Sequence, residues 1–295
     1  MAEELQKRCE NAAECSHQDA TRKTVSVTAH GVAYMRGLES TLCPDNPLFY
    51  DPYATILGGD AGKTWTEEVA ARFGENLRDM SAQNAFYSSI AIRTKKIDTT
   101  IQSTLDQCPG VSQICTLGAG LDTRPWRLAL QTTQVLNYYE LDFPELFDYK
   151  LPILQQHGAK CPYNYHDVRA DLSLESWPDV LSAAGFDRTR PTIWLLEGLT
   201  GYLTKDENER MFKSIACLSA EKSSLIATFI TPPAKEKLMI PLHRYAPEDP
   251  LALMRSCGGW EGTMVDLYDI AKEYNRLPED EKLVVRGYML ATVHV

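Results

Sequence analysis

The segment that most constrains this chain is Ile114-Cys115-Thr116-Leu117, a short apolar run that passes directly into Gly118-Ala119-Gly120 and then into a helix-forming stretch. A strand that turns so abruptly needs glycine, both for unusual φ angles and to let a ligand approach bare backbone. Asp122 or Thr123 is placed to cap the new helix. The N–H groups exposed by such a turn favour anionic or polar ligand atoms. Taken alone, this Gly-x-Gly turn also fits a purely structural connection.

The surrounding pattern sets the fold class. From Gln113 onward, short apolar runs alternate with amphipathic stretches. Strands are predicted at Gln113–Leu117, Val135–Leu141, Tyr163–Val168, Thr192–Glu197 and Ser223–Ile230, with helices at Arg124–Leu130, Pro144–Gln156, Leu174–Ala184 and Lys205–Leu218. Such alternation implies right-handed crossovers and a doubly wound, mostly parallel α/β sheet with helices on both faces. Ile193-Trp194-Leu195-Leu196 is apolar throughout, as suits a central strand covered on both sides. The N-terminal third reads as helical, over Val25–Leu38, Thr64–Leu77 and Ala82–Leu105, and residues 1–24 read as a flexible polar arm. Thr231-Pro232-Pro233 breaks the alternation, so 231–282 is expected to be an insertion or cap and 283–295 a closing strand. These divisions give one domain over 25–295: a helical lid and lead-in at 25–110, a cofactor-binding core at 111–230, then the cap and the closing strand.

Composition removes several function classes. The net charge of −10, with no basic stretch interleaved with aromatics, disfavours nucleic acid or an anionic membrane as partner. No window approaches the roughly 18 apolar residues of a membrane span. The polar, acidic start does not read as a targeting signal. Eight cysteines without a C-x-x-C pair argue for reduced thiols rather than a disulfide framework or zinc site. A cytoplasmic protein without a metal site is the expectation.

The second informative feature is Tyr139-Glu140-Leu141-Asp142, at the end of the next strand. An acidic residue about twenty positions after the glycines is placed to accept hydrogen bonds from ribose hydroxyls. Glu140 and Asp142 share a parity on the strand, so both are candidates. A solvated strand end with a helix cap would look the same. Glycine loop and acid together point to an adenosine-containing cofactor. A dinucleotide fingerprint wants a third glycine where Thr123 stands, which counts against a nicotinamide cofactor.

Leu117-Gly118-Ala119-Gly120-Leu121-Asp122-Thr123-Arg124, followed by Glu140-Leu141-Asp142-Phe143-Pro144, resembles the leucine carboxyl methyltransferase family of class I S-adenosylmethionine-dependent enzymes. Further matching pieces are Arg36-Gly37-Leu38-Glu39-Ser40, Asp51-Pro52-Tyr53-Ala54, Arg93-Thr94, Ala170-Asp171-Leu172 and Leu196-Glu197-Gly198-Leu199-Thr200-Gly201-Tyr202-Leu203. The resemblance implies a Rossmann-like, seven-stranded sheet with S-adenosyl-L-methionine as cofactor. It implies that Arg93 pairs with the donor's carboxylate, as suits a bidentate guanidinium. Gly118, Ala119 and Gly120 would lie against the donor, Asp142 (with Glu140 as second choice) would hold the ribose, and Asp171 and Leu172 would frame the adenine. Glu197 would end the fourth strand beside the methyl group. Asp122 and Arg124 read as scaffold, Arg124 needing a carboxylate partner because it sits at a helix N-terminus.

Methyl transfer from a sulfonium asks mainly for alignment and exclusion of water. A carboxylate acceptor needs no base, whereas a hydroxyl acceptor wants one. Glu197, Tyr202 and His30 are the catalytic candidates, and His166 is a further histidine on the third strand; plain structural roles are the alternative for the two histidines and for Tyr202. The N-terminal segments look like the branch that methylates polyketide-type natural products, in secondary metabolism. The expected acceptor is therefore a small carboxylic acid or hydroxyl compound. Methylation of a protein's C-terminal leucine, an NAD(P)-dependent oxidoreductase and a non-catalytic cofactor-binding module are the competing readings.

Overall fold

The computed structural model describes residues 26–72, 85–238, 243–277 and 287–294. Its strands are β1 (Gln113–Leu117), β2 (Asn137–Asp142), β3 (Asn164–Arg169), β4 (Thr192–Leu196), β5 (Ser224–Ile230), β6 (Glu261–Asp266) and β7 (Tyr288–His294). They form one seven-stranded sheet of order β3-β2-β1-β4-β5-β7-β6. The first five are parallel, and β7 runs antiparallel between β5 and β6. Chain order reverses between β1 and β4, and the crevice beyond the carboxyl ends of strands at such a point is where α/β sheets take ligands.

Every residue of β1, β4 and β5 is buried. Because side chains alternate across a strand, each of these strands feeds two cores. Cys115, Leu117, Trp194, Leu196, Leu225, Ala227 and Phe229 pack on one face with Trp177, Phe212 and Trp260. Ile114, Ile193, Leu195 and Ile226 pack on the other with Ile97, Ile101 and Ile270. Each leucine, isoleucine or phenylalanine among them, once buried, contributes about 1.5–3 kcal/mol of transfer free energy, which fixes the register of the strands whose ends carry the site.

The helices are α1 (26–42), α2 (Ala54–Arg72), α3 (Ala85–Gln107), α4 (Arg124–Arg127), α5 (Pro144–Gln156), α6 (Trp177–Ala183), α7 (Lys205–Cys217), α8 (Pro232–Leu238), α9 (Pro250–Gly258) and α10 (Leu267–Glu273). Most lie where the sequence places them, and the differences have local causes. The α2 helix begins well before Thr64, because Asp51 Oδ1 accepts from the N–H groups of Tyr53 and Ala54 at 3.2 and 3.0 Å and starts it there. The α4 helix is a single turn rather than running to Leu130. Leu128 turns extended, and Tyr163 holds the backbone beyond it by donating to Leu128 O and accepting from Leu130 N–H. Tertiary contacts outweigh helix propensity there. By contrast, α7 starts at the predicted residue on a complete capping box between Thr204 and Glu207.

The segment read as a cap or insertion, 231–282, holds α8 and α9 but also supplies β6 and α10, which belong to the sheet and its covering layer. The expected arm at 1–24 and the stretches 73–84, 239–242 and 278–286 lie outside the described residues. Among the described residues, no helix is long and apolar enough to cross a membrane, and Cys43, Cys108, Cys115, Cys161, Cys217 and Cys257 are free thiols.

Candidate active site

Gly118 and Gly120 adopt φ of 70° and 52°, the left-handed region that side chains avoid. The turn is held from beneath. The N–H groups of Gly118 and Ala119 donate to Leu141 O at 2.9 and 3.1 Å, and Gly120 N–H donates to Asp142 Oδ2 at 2.6 Å. Asp142 Oδ1 accepts from Phe143 N–H at 2.8 Å, so the carboxylate that ends β2 brackets the glycine loop. Burial pushes the Asp142 carboxyl up, and its two backbone donors act against that. Above the loop, a Cβ at Gly118 would stand 3.0 Å from Leu199 Cδ1 and one at Gly120 would stand 3.5 Å from Ala29 Cβ. The loop therefore lies between the exit of β4 and helix α1.

Glu140 does not reach this crevice. It is wholly buried and bound to Lys150 Nζ and Tyr165 Oη, each at 2.6 Å. Lys150 also donates to Asp122 O at 3.1 Å and lies over the Trp126 and Phe147 rings. Burial pushes the Glu140 carboxyl up to about 7, against Lys150. The same-face argument that paired Glu140 with Asp142 fails because helix α5 covers that face one pleat back from the strand end. Asp142 is the acid left at the crevice.

On the other side of the reversal, Glu197 follows β4 and receives two guanidiniums. Arg93 Nε and Arg124 Nη1 each donate to it at 2.6 Å. The pairing continues inward. Arg124 also binds Asp122 Oδ2 at 2.8 Å and Asp98 Oδ1 at 2.7 Å. Arg127 binds Asp98 at 2.7 and 3.0 Å and approaches Asp51 at 3.4 Å. Asp51 in turn takes Arg36 Nε at 3.2 Å and Thr123 Oγ1 at 2.6 Å. Arg36, Arg93, Arg124 and Arg127 thus balance Asp51, Asp98, Asp122 and Glu197, nearly all out of solvent.

Burial alone would raise the Glu197 carboxyl, but Arg124 and Arg93 outweigh it and hold it at about 2. Asp122 is held well below the usual carboxylate range in the same way, burial being overcome by Arg124 and Arg36. Glu197 is therefore an anion near neutral pH. Arg124 finds the carboxylate partners that its helix-terminal position requires.

The remaining candidates divide. Asp171 Oδ1 accepts from Ser173 N–H and Oγ at 3.0 and 2.6 Å, opening the turn after β3, and its charge is felt at Asp142. Leu172 is buried beside it. The Tyr202 hydroxyl lies 3.5 Å from Thr28 Oγ1 on α1. His30 links two helices. Its Nδ1 sits 3.1 Å from Leu57 O and 3.3 Å from Gly58 O, and its ring meets Tyr149 edge-on. Carbonyls only accept, so the Nδ1 proton is committed to fastening α1 to α2. His166 stacks flat on Tyr139 at 4.4 Å. Sequence reasoning missed His243, whose ring lies against Gly201 and Tyr202; it follows the Thr-Pro-Pro break, where no periodicity marks it. Roles for Arg36, Asp51, Asp98 and Arg127 were also illegible, because ion pairs across tens of residues leave no local pattern.

A glycine loop at the reversal point, an acid ending β2 and an arginine of α3 bound to Glu197 after β4 make up this site. The chain belongs to the leucine carboxyl methyltransferase family, whose profile matches residues 29–216, and is an S-adenosyl-L-methionine-dependent methyltransferase. A Mycobacterium tuberculosis protein named as an S-adenosyl-L-methionine-dependent methyltransferase is 38% identical over 217 residues, covering 72% of this chain and 67% of that one. A Mycobacterium marinum protein named in the same way is 36% identical over 212 residues, 71% of this chain and 66% of that one. Among solved structures, a DUF574 family protein from Streptomyces avermitilis superposes with a TM-score of 0.57 at 12% identity, over 89% of this chain and 96% of that one. A protein from Thermobifida fusca described as a methyltransferase gives 0.52 at 18% identity, over 82% and 92%. Both share the fold.

Proposed function

We propose that this methyltransferase acts on the oxygen of a small carboxylic acid or hydroxyl compound, of the polyketide type found in secondary metabolism. The observation that carries this reading is the position of α1. Ala29 lies over Gly120 and Thr28 meets Tyr202, so one helix spans the glycine loop and the exit of β4. Access to the crevice is narrowed, which suits a compact acceptor better than a protein surface. In this reading 25–295 work as a single catalytic domain, and the free thiols fit a cytoplasmic enzyme.

The residues present fit the donor. Bare backbone at Gly118 and Gly120, between Leu199 and Ala29, forms a slot that side chains would fill. A carboxylate at Asp142 and a guanidinium at Arg93 match a ribose diol at one end and an amino-acid carboxylate at the other. Arg93 would hold that carboxylate, aimed by the Glu197 bond at its Nε. Asp142 would hold the ribose, Gly118, Ala119 and Gly120 would lie along the donor, and Asp171 with Leu172 would frame the adenine. When bound, the donor supplies a sulfonium methyl with a good leaving group. The chain's own contribution is alignment in line with the acceptor and exclusion of water, with Tyr202 on the acceptor side.

Methyl-labelled donor, offered with aromatic acids, phenols and a peptide ending in leucine, tests the acceptor. Label is expected in the small molecules, released by alkali from an ester and retained in an ether. Label on the peptide alone overturns the reading in favour of protein carboxyl methylation. Calorimetry tests the donor end. Arg93→Ala is expected to weaken S-adenosylhomocysteine binding about tenfold, the worth of one charge-assisted hydrogen bond. Unchanged affinity rejects the role given to Arg93.

A further inference from the structure

The turn that follows Glu197 is pinned from several sides. Gly198 N–H donates to Thr228 Oγ1 at 2.8 Å, and Thr200 Oγ1 donates to Thr228 O at 2.9 Å. Asn208 Nδ2 donates to Thr200 O at 2.9 Å. The segment after α8 is strapped onto the same turn, because Arg244 N–H donates to Gly201 O at 2.7 Å. That strap sets the His243 ring on Gly201, where a Cβ would lie 3.0 Å from its Cδ2, and edge-on to Tyr202 with 5.2 Å between centroids. Tyr202 reaches Thr28, whose neighbour Ala29 lies over Gly120. An unbroken run of contacts therefore joins His243 to the glycine loop.

His243 Nδ1 is buried and has no hydrogen-bond partner among the described residues. Such an atom is costly to leave unpaired, and a flat apolar side chain would cover Gly201 as well. Burial pushes the imidazole down to about 4, and Lys235, the charged group facing it from α8, acts in the same direction. Tyr202 faces it from the turn, and Arg244 beside it is paired with Glu207. The ring is thus uncharged near neutral pH, able to accept a proton and unable to serve as a cation.

We infer that His243 receives the acceptor's hydroxyl, accepting the O–H hydrogen bond beside Tyr202 and taking that proton as the methyl group transfers. The inference rests on the small-molecule reading above and narrows it from carboxylate or hydroxyl to hydroxyl. The acceptor oxygen forms the bond to the methyl carbon while the carbon–sulfur bond breaks, its electron pair staying on sulfur. The O–H proton passes to the imidazole and afterwards to solvent. A carboxylate acceptor brings no proton to remove and leaves the ring with nothing to do.

The test is nitrogen NMR of histidine-labelled full-length protein saturated with S-adenosylhomocysteine, with phenol and benzoate as probes. His243→Phe assigns the ring signals. Phenol is expected to shift the His243 signals saturably, benzoate at the same concentration to leave them in place, and His243→Phe to bind phenol about fivefold more weakly. His243→Gln, which keeps an acceptor atom, is expected to regain part of that loss. Signals that respond to benzoate and not phenol, or to neither, overturn the inference. Because the wild-type shifts are read directly, a variant that fails to fold does not block the decision. Failure of S-adenosylhomocysteine to bind would strike the donor reading instead, which keeps the two failures apart.

Discussion

Replacing Arg124 with leucine is expected to remove about 3–5 kcal/mol of folding stability, the usual consequence of deleting one partner from a buried ion pair. The arginine is almost wholly buried and binds Asp98, Asp122 and Glu197 at 2.6 to 2.8 Å. Leucine restores part of the volume but leaves three carboxylates in the interior with one cation fewer. Replacing the whole network with apolar side chains could be neutral; removing one member is not. Urea unfolding measures the loss directly, and the thermal midpoint should fall on the order of 10 °C. A change below about 1 kcal/mol would mean that water relieves these charges and that the network does not hold the loop as one body. The variant should also bind S-adenosylhomocysteine more weakly, since Glu197 would then aim Arg93 without its second guanidinium.

Acid should unfold the protein partly through Glu197. Its carboxyl falls from 4.5 to about 2 on folding. A group lowered in this way contributes stability that is fully present above the unfolded value and is lost as pH falls through the folded one. The window therefore runs from about pH 4.5 down to about pH 2, and the contribution is about 3 kcal/mol. Other carboxylates titrate over the same range, so the informative quantity is a difference. The stability gap between wild type and Glu197→Gln should be widest at neutral pH and close towards pH 2. A gap that stays constant across the window would show that the bonds to Arg93 and Arg124 do not depend on the charge of Glu197. Asp122 works in the same direction, held low by Arg124 and Arg36, so Arg124→Leu should flatten the acid profile further.

Much of the fold was legible because local chemistry decided it. The β1 strand and the α5 helix have the bounds their sequences announce, and the capping box at Thr204 places the start of α7 to the residue. The misses are of another kind. The cut-off of α4 comes from Tyr163, far along the chain, and β6 is a strand because β7 offers it an edge. Neither cause is present in the residues themselves.

The same division runs through the site. The sequence by itself determined the glycine loop, the acid at the end of β2 and the run after β4, because a strand-to-helix turn and a strand end need those residue types in place. Only the tertiary structure separated Asp142 from Glu140, turned His30 into a clasp between two helices, joined Arg93 to Glu197 and set His243 over Gly201. Strand parity and helix spacing specify a direction. A side chain's charge state and role depend on what else occupies that direction, and here the occupants come from elements tens of residues away.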